Sequence, residues 1–457
     1  MTEITVSDLI NHCNCKLLIG DENTIIKECF INSKTKTSGG TFFGIKGKKA
    51  DGSLFYKEAF NNGANVCVLS KIYDLDLKGY DNKTVVISKD PLIALQTLAK
   101  YKRSLFNGKV IGITGSIGKT STKEMIAKTL EKKYKVLKTI GNENGQLGVP
   151  LSILRHTNED VMVLEMGVSM KGEMNTLVSI AKPNISVITN VLLSHVENFG
   201  SKYDIFKEKI GIASFIEDGV LVLNNDDETL NEFAINDRMI YKITVGQEKE
   251  SDFMSSNVRE GMETYFDCLD IKNLKVIGGK EFITNALISI AVSKLFEIPD
   301  DDIKDAINNF NNVNHRLEII NLNNNVTLID DSYNSNYESI KSALGLLSKF
   351  KRRRIAILGD VLELGKESKK IHKKIGKEVI NGNVDYLITI GKCSRLIGKE
   401  ARRLGFKRRQ TKHFKSEIKS RKYLKRLIKS GDAILIKGSH GMGLVNLVNY
   451  LKEGLLF

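Results

Sequence analysis

Tryptophan is absent from this 457-residue chain, proline occurs only four times, and no tract approaches about 18 uninterrupted apolar residues. The last absence excludes a membrane-spanning helix. The six cysteines (Cys13, Cys15, Cys29, Cys67, Cys268, Cys393) are scattered and none forms a CxxC. That excludes a disulfide scaffold and predicts free thiols in a reducing compartment. The start, Met1 to Thr5, carries an acid at Glu3 where a secretory signal needs basic residues, and no long apolar run follows. A cytoplasmic protein with no membrane insertion is therefore expected. Few prolines, and no Gly-X-Y period among the 37 glycines, exclude collagen-like and low-complexity chains. What is present is the inventory of packed domains: 41% hydrophobic residues over a length that suits about three of them.

Sixty-nine Lys and Arg face 54 Asp and Glu, a net charge of +15. The basic clusters lie late, at Lys351 to Arg354, Arg402-Arg403, Lys407 to Arg409, and from Lys415 to Lys429. Single-strand nucleic-acid binders interleave such runs with aromatic platforms, and these stretches hold only an occasional Phe or Tyr. The charge is read as a solvated surface plus affinity for polyanionic nucleotides, with no nucleic-acid partner. A nucleic-acid-dependent NTPase and a nucleotide binder without turnover are the rival classes.

The chain divides at Asn107-Gly108, where a helix predicted from Pro91 ends, and again near residue 315. The expected segments are 1–107, 108–315 and 316–457. Apolar runs such as Val110–Thr114, Val161–Leu164, Ile185–Thr189 and Val220–Leu223 alternate with helical patterns, and the alternation resumes in the last third. Such interleaving predicts an α/β fold of three domains, with a mainly parallel central sheet and a Rossmann-like C-terminal α/β domain.

Thr114-Gly115-Ser116-Ile117-Gly118-Lys119-Thr120-Ser121 falls between a strand and a helix, the context a phosphate loop requires. Backbone N–H groups can turn around phosphate oxygens, Lys119 can neutralise charge, and the Thr120 hydroxyl can reach Mg²⁺. The generic GxxxxGK[ST] pattern would need Gly at 113, where Ile stands. Glu165 ends a buried strand about 45 residues later, where α/β sheets place ligands, and His195 follows a third strand. His315 and His372 carry no chemistry assignable from sequence.

These residues resemble the Mur ligases, ATP-dependent amide-forming enzymes of peptidoglycan synthesis. The loop matches the family's TGSxGKT variant, and the resemblance extends over Gly141 to Asn144, Gly148-Val149-Pro150, Leu164 to Gly167, Ala181-Lys182-Pro183, Arg316-Leu317-Glu318, Asp330 to Asn336 and Lys437-Gly438-Ser439. The Asp331 to Asn336 string and Gly359-Asp360 with Glu363-Leu364-Gly365 favour the member that joins D-alanyl-D-alanine to a UDP-N-acetylmuramoyl-tripeptide.

The resemblance implies ATP and about two Mg²⁺ ions as cofactors, a monomer, and a defined distribution of roles. Segment 1–107 would hold the UDP-sugar through Ser33, Lys46, Gly47, Asp51 and Gly52. Segment 108–315 would be the ATPase, with Gly115, Ser116, Gly118, Lys119, Thr120 and Ser121 on phosphate and Asn285 toward adenine. Arg316 and Asp331 would meet the nucleotide from segment 316–457, which would close on it and on the amine. Thr120, Glu165, His195 and Lys209 would ligate metal, Lys209 as a CO₂-derived carbamate. Asn142, Asn144, Asn334 and Asn336 would contact the peptide or the acceptor. Ser53, Glu143, Gly145, Gln146, Glu281, Tyr337 and His440 depart from the family pattern, which leaves a ligase that adds a different amino acid or dipeptide as the alternative.

Overall fold

The computed structural model describes residues 3–70, 75–194, 196–214, 219–237 and 239–454. Each third of the chain builds its own sheet. The first lobe has five strands in the order Lys16–Ile19, Thr84–Ile87, Val66–Leu69, Thr41–Phe43, Cys29–Phe30, and only the first pairing is antiparallel. Helix Pro91–Ser104 follows it. Pro91 occupies the first turn, where its missing N–H costs nothing, and the Asp90 carboxylate accepts from the N–H of Leu92 and Ile93.

The second sheet has nine strands. Third from one edge, Lys109–Thr114 lies between Val161–Glu165 and Ile185–Ile188, all parallel and all buried at their inner residues. After Lys109–Thr114 the chain moves to one side of the sheet, and after Ile185–Ile188 it moves to the other, toward Val220–Asn224. That reversal opens a crevice at the carboxyl ends of the two strands, the place where open α/β sheets bind ligands. An antiparallel meander, Phe253–Arg259, Glu263–Cys268 and Ile271–Ile277, finishes one edge. Its strands carry alternating polar and charged residues because one face meets water, so they lack the continuous apolar signature of the central strands.

The third sheet runs Glu318–Leu322, Val326–Asp331, Ala433–Lys437, Arg354–Gly359, Tyr386–Ile390, Thr411–Phe414, parallel except for its first strand. Both faces are covered. Leu328, Ile357 and Ile436 pack under Leu424, Leu447 and Val448, whereas Ile329, Leu358 and Leu435 belong to the apolar cluster of Ile340, Ile375 and Ile397. That second cluster is continuous with the core of the middle lobe through Ile111, Ile113 and Leu287. Among the described residues no helix is long and apolar enough to cross a membrane.

Candidate functional site

The loop after Lys109–Thr114 is shaped by two glycines and by the neighbouring strand's exit. Gly115 (φ 151°) and Gly118 (φ 84°) take backbone conformations that side chains rarely adopt, and a Cβ on Gly115 would lie 1.9 Å from Thr189 Oγ1. The Asn190 side-chain oxygen accepts from the N–H of Ser116 (3.1 Å) and Ile117 (3.0 Å), and Thr189 Oγ1 donates to the Ile117 carbonyl at 2.6 Å. These bonds tie the two sides of the crevice together. Helix Lys119–Leu130 then starts with no side chain capping its first turn, so its N-terminal N–H groups and dipole face the cavity. Asn190 had no assigned role from sequence, since an Asn after a strand reads as an ordinary turn residue.

Lys119 folds back on its own loop, donating to the carbonyls of Gly115 (2.8 Å) and Ser116 (3.4 Å). Burial pushes its pKa down, against the pull of the Glu165 carboxylate, and Arg316 pushes it down further. Lys209 reaches the same Gly115 carbonyl at 3.0 Å from helix Lys202–Ile210. It is almost wholly buried, and burial followed by the Lys119 charge holds its pKa well below the ordinary lysine value. Thr120 Oγ1 donates to Glu165 Oε2 at 2.7 Å, while Asn144 Nδ2 donates to Glu165 Oε1 at 2.8 Å. Glu165 is only 1% exposed. Hydroxyl and carboxylate oxygens held side by side are the hard donors that Mg²⁺ takes. His195, the remaining candidate ligand, lies outside the described residues.

A cavity of about 610 Å³ spans the crevice and the third lobe. The middle lobe contributes Ser116, Gly118, Lys119, Ser121, Asn142, Asn144, Glu165 and Asn285 to its wall, and the third lobe Arg316, Asp331, Asn334 and Asn336. Asn285 Oδ1 accepts from Thr122 Oγ1 at 3.1 Å beside Gly118. The Arg316 guanidinium carbon lies over the Tyr333 ring, 4.3 Å from its centroid, in cation–π contact. Asp331 and Lys437 end adjacent parallel strands and are register partners; Lys437 Nζ donates to Asp331 Oδ2 at 2.5 Å and to the Asn334 carbonyl at 3.0 Å. Lys437 belonged to a recognised string but had no role from sequence, because pairing across 106 residues is decided by sheet order. The Ser335 hydroxyl in the same wall is buried with no partner among the described residues, a polar group that fits a ligand contact.

Several of the candidates also serve the fold. Asn336 caps helix Tyr337–Ser348, its side chain accepting from Ser339 N–H at 2.8 Å, and Asn334 accepts from Ser335 N–H. Asp360 accepts from the N–H groups of Lys392, Cys393 and Ser394, where helix Arg395–Arg403 begins. His372 accepts from Val361 N–H through Nε2 and donates from Nδ1 to the Ser368 carbonyl, which holds the loop after Gly359. His315, Glu318 and Asp330 bring ligand-type atoms within 4.8 Å of one another, with His315 Nδ1 already 2.6 Å from Asp330 Oδ2. They brace the segment that enters the third lobe.

The first-lobe candidates form a separate group that does not line the cavity. Lys46, Gly47, Asp51 and Gly52 sit on one small hairpin closed by the Gly47 N–H to Ala50 carbonyl bond and the Gly52 N–H to Ile45 carbonyl bond. The Asp51 carboxylate accepts from Ser53 N–H and the Ser70 hydroxyl. Ser33 stands apart and donates to Glu58.

Residues 113–293 match the Mur ligase middle domain, and residues 315–440 match the Mur ligase, glutamate ligase domain. The UDP-N-acetylmuramoyl-tripeptide–D-alanyl-D-alanine ligase of Bacillus subtilis is 32% identical over 94% of this chain and 94% of its own length. The ligase of the same name from Escherichia coli is 31% identical over 99% of both. Among solved structures, the MurF ligase of Thermotoga maritima in complex with ADP superposes with a TM-score of 0.78 at 26% identity, covering 94% of this chain and 98% of that one.

Proposed function

The chain belongs to the Mur ligase family, and from that membership we infer that it joins D-alanyl-D-alanine to a UDP-N-acetylmuramoyl-tripeptide at the expense of ATP. The observation that carries this reading is the cavity itself, which sets the phosphate loop opposite Arg316, Asp331 and Lys437 of another lobe. A binder needs one wall. A ligase that must grip a triphosphate, admit an acid and then an amine, and keep out water needs two.

A carboxylate does not condense with an amine at neutral pH, so the tripeptide acid takes the γ-phosphoryl group as an acyl phosphate, which the amine of the dipeptide attacks before phosphate leaves. Approach of a carboxylate to the triphosphate places like charges together, about 4 kcal/mol for each pair at 4 Å and an effective dielectric of 20. Lys119 offsets this by leaving its loop carbonyls for phosphate oxygens, and the uncapped first turn of helix Lys119–Leu130 adds N–H donors. Arg316, held over Tyr333, meets the nucleotide from the other side, and Asp331, fixed by Lys437, accepts from ribose. Asn285 faces adenine. Asn142, Asn144, Asn334 and Asn336 border the path of peptide and amine. The hairpin of Lys46 to Gly52, with Ser33, takes the UDP-sugar.

Thr120 and Glu165 would hold one Mg²⁺, and His195 with carbamylated Lys209 a second; bound there, the metal supplies charge neutralisation to the transferring phosphoryl group. As a buried amine, Lys209 is a poor home for a proton beside Lys119, and a carbamate would exchange that cation for an anionic oxygen donor. The third lobe closes on the loaded site. The Glu143 departure is matched within the chain, since Arg155 binds its carboxylate through both nitrogens, and Tyr337 is matched by a bond to Glu378. These departures therefore present no free charge to the acceptor.

Phosphate release and product mass test the reading. Release that requires both the UDP-tripeptide and D-alanyl-D-alanine, with a product heavier by the dipeptide less one water, is expected. Turnover without an acceptor, or only with another amine, overturns it.

A further inference from the structure

The net charge of this molecule is not spread over it. Between Arg402 and Lys429 the chain carries thirteen Lys and Arg and a single acid, Glu417, so these 28 residues supply twelve of the fifteen net positive charges. The remainder of the protein is close to neutral.

The fold gathers them around one sheet edge. Thr411–Phe414 is the outermost strand, and helices Arg395–Arg403 and Glu417–Leu427 pack on its two sides. Glu417–Leu427 buries Ser420 and Leu424 against the core, and its other face displays Lys419, Lys422 and Arg426, with Lys415 before it and Lys429 after it. Lys419, Lys422 and Arg426, three and four residues apart, share one stripe of the helix, and Lys415 and Lys429 extend the charge beyond its extended flanks at Ser416 and Ile428. Among the described residues none of the five has a carboxylate within ion-pair distance, whereas Arg403 and Arg421 are paired with Glu400 and Glu417. Keeping a sheet edge from pairing with another chain would account for Lys412 on the edge strand, but not for a stripe on the helix beside it.

Ile418 stands among these cations, 68% exposed. The nearby aromatics are turned inward: Phe414 and Tyr423 meet at a tilt, ring centroids 5.5 Å apart, and pack on the core. No ring on the stripe is available to stack on a base, which nucleic-acid binding of this kind would use. A cationic helical face with one apolar side chain projecting from it matches instead an interface whose surface is anionic and whose interior is apolar.

We propose that this basic edge of the third lobe docks the protein on an anionic lipid surface. Lysines and arginines contact phosphate headgroups, and Ile418 enters the boundary beneath them. No residue between Arg402 and Lys429 lines the cavity, so a docked molecule keeps its site open. The inference rests on charge and exposure and is independent of the ligase assignment.

The test is co-sedimentation of the full chain with vesicles of phosphatidylcholine alone, or of phosphatidylcholine with about one-third phosphatidylglycerol, at low and high salt, with a DNA duplex titrated in parallel. Binding to the anionic vesicles only, at least tenfold weaker at high salt, is expected. The triple variant Lys419→Glu, Lys422→Glu, Arg426→Glu should lose that binding tenfold or more while its melting temperature stays unchanged, and Ile418→Ser should weaken it several-fold at the same charge. Equal binding to both vesicle types, no binding to anionic vesicles at low salt, a triple variant that binds normally, or tighter binding to DNA than to vesicles would each overturn the proposal.

Discussion

Lys119 and Lys209 donate to one acceptor, the carbonyl oxygen of Gly115, at 2.8 and 3.0 Å. Their ammonium groups are therefore no more than about 6 Å apart, and two cations at that distance repel by about 3 kcal/mol at an effective dielectric of 20. The unliganded site is thus charged for an anion. A triphosphate that drew Lys119 away, as proposed above, would relieve the repulsion, and so would the proposed carbamate on Lys209.

Lys119→Ala removes the charge meant for phosphate and a donor whose present partners are loop carbonyls. Substrate-dependent phosphate release should fall by about 100-fold or more, with the far-ultraviolet circular dichroism spectrum unchanged. Retained turnover would place the phosphate elsewhere.

For Lys209, burial and Lys119 depress the pKa from 10.5 in the folded chain. Between the depressed value and 10.5 the unfolded chain binds the extra proton, so stability of the unliganded protein rises with pH through that window and is lost as pH falls. Lys209→Met should therefore raise the melting temperature near neutral pH by about 2 °C, flatten its rise toward alkaline pH, and abolish ligation. Calorimetry over a pH series checks the first two effects and phosphate release the third.

Asn190→Leu leaves the N–H groups of Ser116 and Ile117 without their side-chain acceptor. Losing such bonds costs about 1–3 kcal/mol. The damage should appear mainly as a KM for ATP raised about tenfold, with a smaller change in kcat, because the loop is misplaced and the reacting groups are kept. Steady-state kinetics at varied ATP separates the two.

Asp331→Leu and Lys437→Met each strand a buried charge, and each should cost about 3–5 kcal/mol of stability. The double variant, with neither charge, should recover most of that loss. Urea unfolding of the three proteins closes the cycle, and additive losses would mean that the pair does not act as a unit.

Local sequence carried the phosphate loop because its physics is local: two glycines at positive φ, a strand before and a helix after, and Lys119-Thr120 at the helix start. It carried the parallel strands for the same reason, each being an apolar run buried on both faces. The antiparallel meander from Phe253 to Ile277 escaped because its exposed face dilutes the pattern with Glu, Asp, Lys and Arg. Asn336 was expected from the resemblance as a peptide or acceptor contact; it does line the cavity, and its bond to Ser339, invisible in the sequence reading, also makes it the cap of helix Tyr337–Ser348.

Composition and short-range pattern alone determined an inventory of packed domains, an α/β alternation and a strand–loop–helix that can bind phosphate. Which groups share a space was decided by sheet order and by how helices pack on the sheets. Lys209 meets Gly115 across 94 residues, Asn285 meets Thr122 across 163, and Lys437 meets Asp331 across 106. None of these separations leaves a trace in the intervening sequence, because a hydrogen bond depends on distance in space, and only the ordering of strands and the packing of helices on them brings such residues to about 3 Å.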